Sequence, residues 1–175
     1  MKQKTLQITR TAALLALLIV LQAVTKPAGQ LVTGSCVNAV LAVTALACGV
    51  WPGVAIALIS PFAAFLLGIG PQLIAVVPAI AVGNLVYVLL LCRIARESAP
   101  LARRVLALLA ASAAKFLALY LIVVQLLCRA LPLKDAQISL FSTMFSWPQL
   151  VTALVGGALA LVIVPLIRRA RRSGG

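Results

Sequence analysis

The stretch that decides the fold is PAGQLVTGSCVNAVLAVTALACGVWPGVAIALISPFAAFLLGIGPQLIAVVPAIAVGNLVYVLLLC, Pro27 to Cys92, in which no Asp, Glu, Lys or Arg occurs. It is long enough for three helical bilayer crossings of about 20 residues each, joined by tight connections. Gly and Pro break helices where a chain must reverse, so Val50-Trp51-Pro52-Gly53 predicts one turn and Gly68-Ile69-Gly70-Pro71-Gln72 another. Helices are expected near 34–50, 53–67 and 75–92, the middle one being the shortest.

On the N-terminal side, Arg10 and Lys26 bracket a further uncharged run. On a helix the two cations stand about 24 Å apart, close enough to a hydrocarbon core for both to snorkel, which gives a first span near 9–27. The rival reading is a cleaved signal peptide, with Lys2, Lys4 and Arg10 ahead of the apolar run and Ala23 near a plausible cut. A chain that is already polytopic needs no separate export signal. On the C-terminal side, a basic loop from Arg93 to Arg104, containing Arg96, Glu97, Pro100 and Arg103, leads to a fifth helix near 105–128. A polar stretch from Arg129 to about Ser146 carries Pro132, Lys134, Asp135 and the aromatic residues Phe141 and Phe145. Trp147 follows, and a sixth helix near 148–167 ends in Arg168, Arg169, Arg171 and Arg172. The expectation is a single all-α transmembrane domain over 1–175, a bundle of six spans with both termini on one side.

Composition agrees. Of 175 residues 64% are apolar and 10% charged, with a mean hydropathy of +1.19, whereas a water-soluble domain has about a quarter of its residues charged. The formal charge of +13 comes from 15 Lys and Arg against 2 Asp and Glu. These cations cluster at the ends of apolar runs, the pattern that orients a membrane protein and not that of a nucleic-acid-binding surface. Lys2, Lys4, Arg10, Arg93, Arg96, Arg103, Arg104 and the C-terminal arginines fall on the terminal side; Lys26, Arg129 and Lys134 fall on the other. The terminal side is therefore expected to be cytoplasmic.

The inventory excludes much chemistry. Histidine is absent and the only carboxylates are Glu97 and Asp135, so no catalytic triad, paired-acid hydrolase or His/carboxylate metal cage can be assembled. Cys36, Cys48, Cys92 and Cys128 are scattered singly without CxxC spacing and read as buried apolar residues. Most proton-coupled carriers cycle a buried carboxylate or histidine, and the six helices contain neither. Sodium coupling through carbonyls and amides stays open. A binding protein that borrows energy from a partner fits this inventory better than a self-powered pump.

Inside the membrane three polar residues stand out. Lys115 lies about ten residues from the inner end of its helix, where a lysine costs about 2.5–3.5 kcal/mol on the insertion scale and normally meets a partner. No intramembrane acid is present to pair with it, so it is neutral, snorkels, or meets an anion brought from outside. Asn38, early in the second helix, and Asn84, near the middle of the fourth, carry amides that lipid cannot satisfy; they bond between helices, contact a ligand, or do both. Gln30, Thr33, Ser35, Gln72, Trp147 and Gln149 offer an outward polar and aromatic rim, although an interfacial belt also explains Trp147. Ala12 and Ala16, with Ala13 beside them, lie one turn apart on helix one and would let another helix approach closely. The same spacing recurs at Ala107/Ala111 and Ala110/Ala114, so alanine richness alone also produces it.

Taken together, the chain resembles the substrate-binding S-components of energy-coupling factor (ECF) transporters. The likeness rests on the six-helix plan, on Ala12-Leu-Leu-Ala16 within Arg10-Thr-Ala-Ala-Leu-Leu-Ala-Leu17, and on the segments Val32-Thr-Gly-Ser-Cys-Val-Asn38-Ala-Val and Pro78-Ala-Ile-Ala-Val-Gly-Asn84. The resemblance implies a non-enzymatic subunit of a prokaryotic plasma membrane that captures a scarce vitamin-like solute in a pocket capped by outer loops. It would dock through Ala12 and Ala16 on a transmembrane coupling protein driven by two ATPase subunits, which use the ATP. No cofactor in the chain itself and no nucleic-acid partner are implied. Asn38, Asn84, Lys115, Gln30, Gln72 and Trp147 are the expected substrate contacts on the burial reading, with a preference for an anionic substrate because Lys115 lacks a partner. A small homodimeric channel or ion-coupled carrier and a membrane scaffold are the alternatives.

Overall fold

The computed structural model describes residues 2–95 and 99–173. Arg96 and Glu97 of the expected basic loop, and the side chains of Lys2, Arg171 and Arg172, lie outside the described residues. All regular structure among the described residues is helical. Helix α1 (Lys2–Thr25) is followed by a single 3-10 turn at Lys26–Ala28, then α2 (Gln30–Cys48), α3 (Val50–Leu66) and α4 (Val76–Ile94). Helix α5 (Leu101–Leu119) runs on through π-helical turns at Tyr120–Leu127 and a last α turn at Cys128–Ala130. Helices α6 (Asp135–Met144) and α7 (Trp147–Ser173) complete the chain. Five stretches are long and apolar enough to cross a membrane, and α3, at 17 residues, is a shorter apolar helix. The chain is a multi-pass membrane protein.

Two expectations are corrected in detail. The reversal between the second and third helices falls at Gly49, not at Trp51-Pro52-Gly53, and Gly49 alone separates the two helices. Its φ of +96° suits a residue without a Cβ. Pro52 then sits in the first turn of α3, where a missing N–H leaves no intrahelical bond unmade. Gly53 is an ordinary helical position kept small by packing, since a Cβ there would come within 2.6 Å of the Val88 side chain. The second correction concerns 129–146, read in the sequence as a polar stretch with no helix assigned to it. It contains α6, whose start is held by the Lys134 backbone N–H donating to Gln137 Oε1 at 3.1 Å. Phe141 and Phe145, one turn apart, turn inward and pack edge to face at 6.5 Å against the π-helical stretch and the start of α4.

The bundle is built around the pairing of α2 with α7. At Gly156 a Cβ would lie 2.6 Å from the Ala39 backbone nitrogen and the Ser35 carbonyl, so the backbones meet where only glycine fits. Helix α1 packs on α2 and α3, α3 on α4, and α5 on α4 and α7. The main core draws on Leu18, Leu41, Ile56, Tyr87, Leu91, Leu108 and Val164. Tyr87, fully buried, donates to the Ala153 carbonyl at 2.8 Å and ties α4 to α7. The Arg168 guanidinium donates to the Leu46 carbonyl at 2.8 Å near the far end of the same helix pair.

Candidate functional site

The loops between α1 and α2, between α3 and α4, and between α6 and α7 converge over one end of the bundle. Beneath them lies a cavity of about 280 Å³, with walls drawn from α1, α2, α3, α4, α5 and α7. Its floor is polar. Lys115 on α5 is 2% exposed, and its Nζ donates to Asn38 Oδ1 of α2 at 2.5 Å and to Asn84 Oδ1 of α4 at 2.7 Å. Asn38 Nδ2 in turn donates to Thr152 Oγ1 of α7 at 3.2 Å. The Nζ also stands 5.4 Å from the centroid of the Tyr87 ring. The Lys115 amine thereby joins α5 to α2 and α4, and the Asn38 amide carries the network on to α7.

The geometry has a chemical consequence. Both carbonyl oxygens turn toward the Lys115 amine and accept from it, so its partners are neutral dipoles and not a carboxylate. Two of the three N–H donors of Lys115 are engaged, and the group lines the cavity. Lys26 at the rim supplies a second lysine side chain, and among the described residues no Asp or Glu lines the space.

The roof is held by hydrogen bonds between loops. Lys26 Nζ donates to the Gly68 carbonyl at 2.8 Å and links the α1–α2 connection to the α3–α4 connection. Gln30 Nε2 and Gln149 Nε2 both donate to the Met144 carbonyl, at 2.7 and 3.0 Å, closing α2 against the α6–α7 turn. The apolar part of the wall comes from Val37, Pro61, Ala64, Ile69, Val77, Ile80 and Phe145. A small apolar space with a few convergent polar groups is the usual form of a small-molecule pocket.

Of the residues singled out in the sequence, the fold brings Gln30, Thr33, Asn38, Asn84, Lys115 and Gln149 to this one cavity. Gln72 and Trp147 are not part of its lining: Gln72 is exposed and bonds to the Gly70 carbonyl at 3.2 Å, and Trp147 is 59% exposed. Trp147 opens α7 on its outer surface, as an interfacial aromatic does. Ala12 and Ala16 lie with Ala13, Leu17 and Val20 on the exposed side of α1, unused by the bundle. Three wall residues were not anticipated as contacts. Lys26 reads in the sequence only as a flanking cation, and Gln22 and Ser60 are not singled out there at all. The one available signal for Gln22 was an amide facing the same side of α1 as the buried Leu18, four residues earlier.

Among the described residues no group of three His, Cys, Asp or Glu side chains could hold a metal ion, the cysteines are free, and none of them lines the cavity. Residues 6–168 match the family model described as ECF transporter, substrate-specific component. No curated protein and no solved structure matches the chain.

Proposed function

The chain belongs to the substrate-specific components of ECF transporters, and from that premise we propose that it captures a small, vitamin-like anion and hands it to an ATP-driven partner. The protein is a substrate-binding transport subunit and not an enzyme. The observation that carries the proposal is the cavity itself: two lysine side chains, several amides and, among the described residues, no carboxylate around about 280 Å³. An anionic group on the ligand would take up the remaining N–H of Lys115 and supply the counter-charge that Asn38 and Asn84 do not. In a site shielded from water such a charge-assisted bond is worth about 1.5–3 kcal/mol. Gln30 orders the roof over the ligand, and the apolar wall takes its remaining surface.

The same reading extends to the partners. The exposed alanine face at Ala12 and Ala16 would admit a helix of a transmembrane coupling protein, which two ATPase subunits drive; ATP is then consumed outside this chain. The excess of Lys and Arg beside the termini supports a cytoplasmic location for both ends in a prokaryotic plasma membrane, with the roofed cavity facing outward. A cavity enclosed by one subunit supports capture over a homodimeric channel, which would need its polar path along a subunit interface.

Reconstitution tests the division of labour. Liposomes holding only this chain should bind solute without concentrating it, and addition of the coupling protein, ATPases and ATP should produce accumulation. Accumulation against a gradient by the chain alone would overturn the proposal.

A further inference from the structure

Two polar atoms in the cavity wall have nothing to bond. Gln22 on α1 is 8% exposed and Ser60 on α3 is 1% exposed, and neither Gln22 Oε1 nor Ser60 Oγ has a hydrogen-bond partner among the described residues. Both residues line the cavity. They belong to helices that pack on each other, whereas Lys115 belongs to α5, which packs against α4 and α7. The cavity therefore has two separate polar poles: an ammonium held by two amide oxygens, and a carbonyl with a hydroxyl left over. Unmet polar groups buried in an apolar bundle destabilise it, and such groups are retained where a ligand completes them.

Resting on the reading of this cavity as the capture site, we infer that Gln22 and Ser60 form a second recognition pole, and that the ligand is a small anion carrying an N–H or O–H donor apart from its anionic group. Gln22 Oε1 is an acceptor only, so the complementary ligand atom is a donor. The last torsion of a glutamine is soft, and a modest rotation turns Oε1 from the wall into the cavity. The Ser60 hydroxyl rotates freely and takes the neighbouring ligand atom as donor or acceptor. A fatty acid or other simple apolar carboxylate lacks the second donor and is selected against. A lactam, ureido, amide or hydroxy acid of similar size fits both poles.

The test uses the full chain in lipid nanodiscs, exposed to a protein-free small-metabolite extract, washed and read by native mass spectrometry. The wild type should retain a metabolite that bears an acidic group and at least one further N–H or O–H. Gln22→Met and Ser60→Ala should each weaken retention of that metabolite about ten-fold or more. In the absence of metabolite, both variants should unfold at the wild-type temperature or above it, because each removes an unmet polar atom. A retained molecule with no donor beyond its acid, or retention by either variant equal to that of the wild type, overturns the second pole. Loss of retention together with lower thermal stability of the empty variants also overturns it, by assigning the two side chains to packing. A wild type that retains nothing overturns instead the capture reading on which the inference stands.

Discussion

Replacing Lys115 by methionine separates a binding lysine from a structural one. The substitution keeps the length of the side chain and removes the ammonium, together with its bonds to Asn38 and Asn84. Two hydrogen bonds to a charged group account for about 3–6 kcal/mol of lost interaction. Against this, the cost of holding a lysine within the membrane, about 2.5–3.5 kcal/mol, is also removed. The two amide oxygens freed by the change border a cavity that water can enter, which lowers the loss further. The empty protein should therefore lose no more than about 3 kcal/mol, a fall of about 10 °C or less in unfolding temperature for a chain of this size. Binding has no such compensation, because the ligand's anionic group loses its one direct cation at the floor. At about 1.5–3 kcal/mol that is roughly a ten- to hundred-fold weaker Kd. The assay is thermal unfolding of the empty protein beside titration with the metabolite that the wild type retains. A Kd unchanged in Lys115→Met would refute the anion contact. A large fall in stability that fully accounts for the loss of binding would refute it too, since the lysine would then serve the bundle alone.

Two further outcomes follow from the same coordinates. Tryptophan at Ala12 and Ala16 should abolish partner-dependent uptake and co-purification with the coupling protein while leaving metabolite retention intact, because both positions lie on the exposed side of α1, away from the cavity; normal uptake would remove helix one from the docking surface. Gly156→Ala should lower the unfolding temperature by overpacking worth about 1–3 kcal/mol, since the added Cβ meets backbone atoms of α2 at 2.6 Å beside Asn38; a variant as stable as the wild type would show that α2 and α7 can separate without penalty.

The features legible in the sequence are those for which lipid leaves few alternatives. An uncharged run from Pro27 to Cys92 has to cross the membrane, and Asn38, Asn84 and Lys115 stand out because each is costly there. Their mutual contact is hidden in the sequence, because the expected partner of a buried lysine is a carboxylate. The fold uses two amide oxygens from helices on either side, a pairing that depends on helix rotation and depth, which no one-dimensional pattern specifies. Gln22 and Ser60 were obscured for the same reason: whether a lone polar residue faces a cavity or a neighbouring helix is decided by packing. Helix α6 was missed because Pro132, Lys134 and Asp135 drew attention to polarity, although Ile138, Phe141 and Phe145 carry a helical spacing. Trp147 shows the converse error, in which an aromatic beside a pocket-forming segment points away from it.

On the proposed capture reading, the bond from Lys26 to the Gly68 carbonyl would bear on the kinetics of entry. It is exposed and, with the Gln30 and Gln149 bonds to the Met144 carbonyl, is one of a few that close the roof; each is worth no more than about 1.5–3 kcal/mol, and loops so restrained part on the nanosecond-to-microsecond scale of ordinary loop motion. Admission at this mouth would then be set by how often solute arrives, and the doorway would need no fuel. Whatever work the proposed importer performs would fall on the opposite step, persuading a tightly held guest to leave.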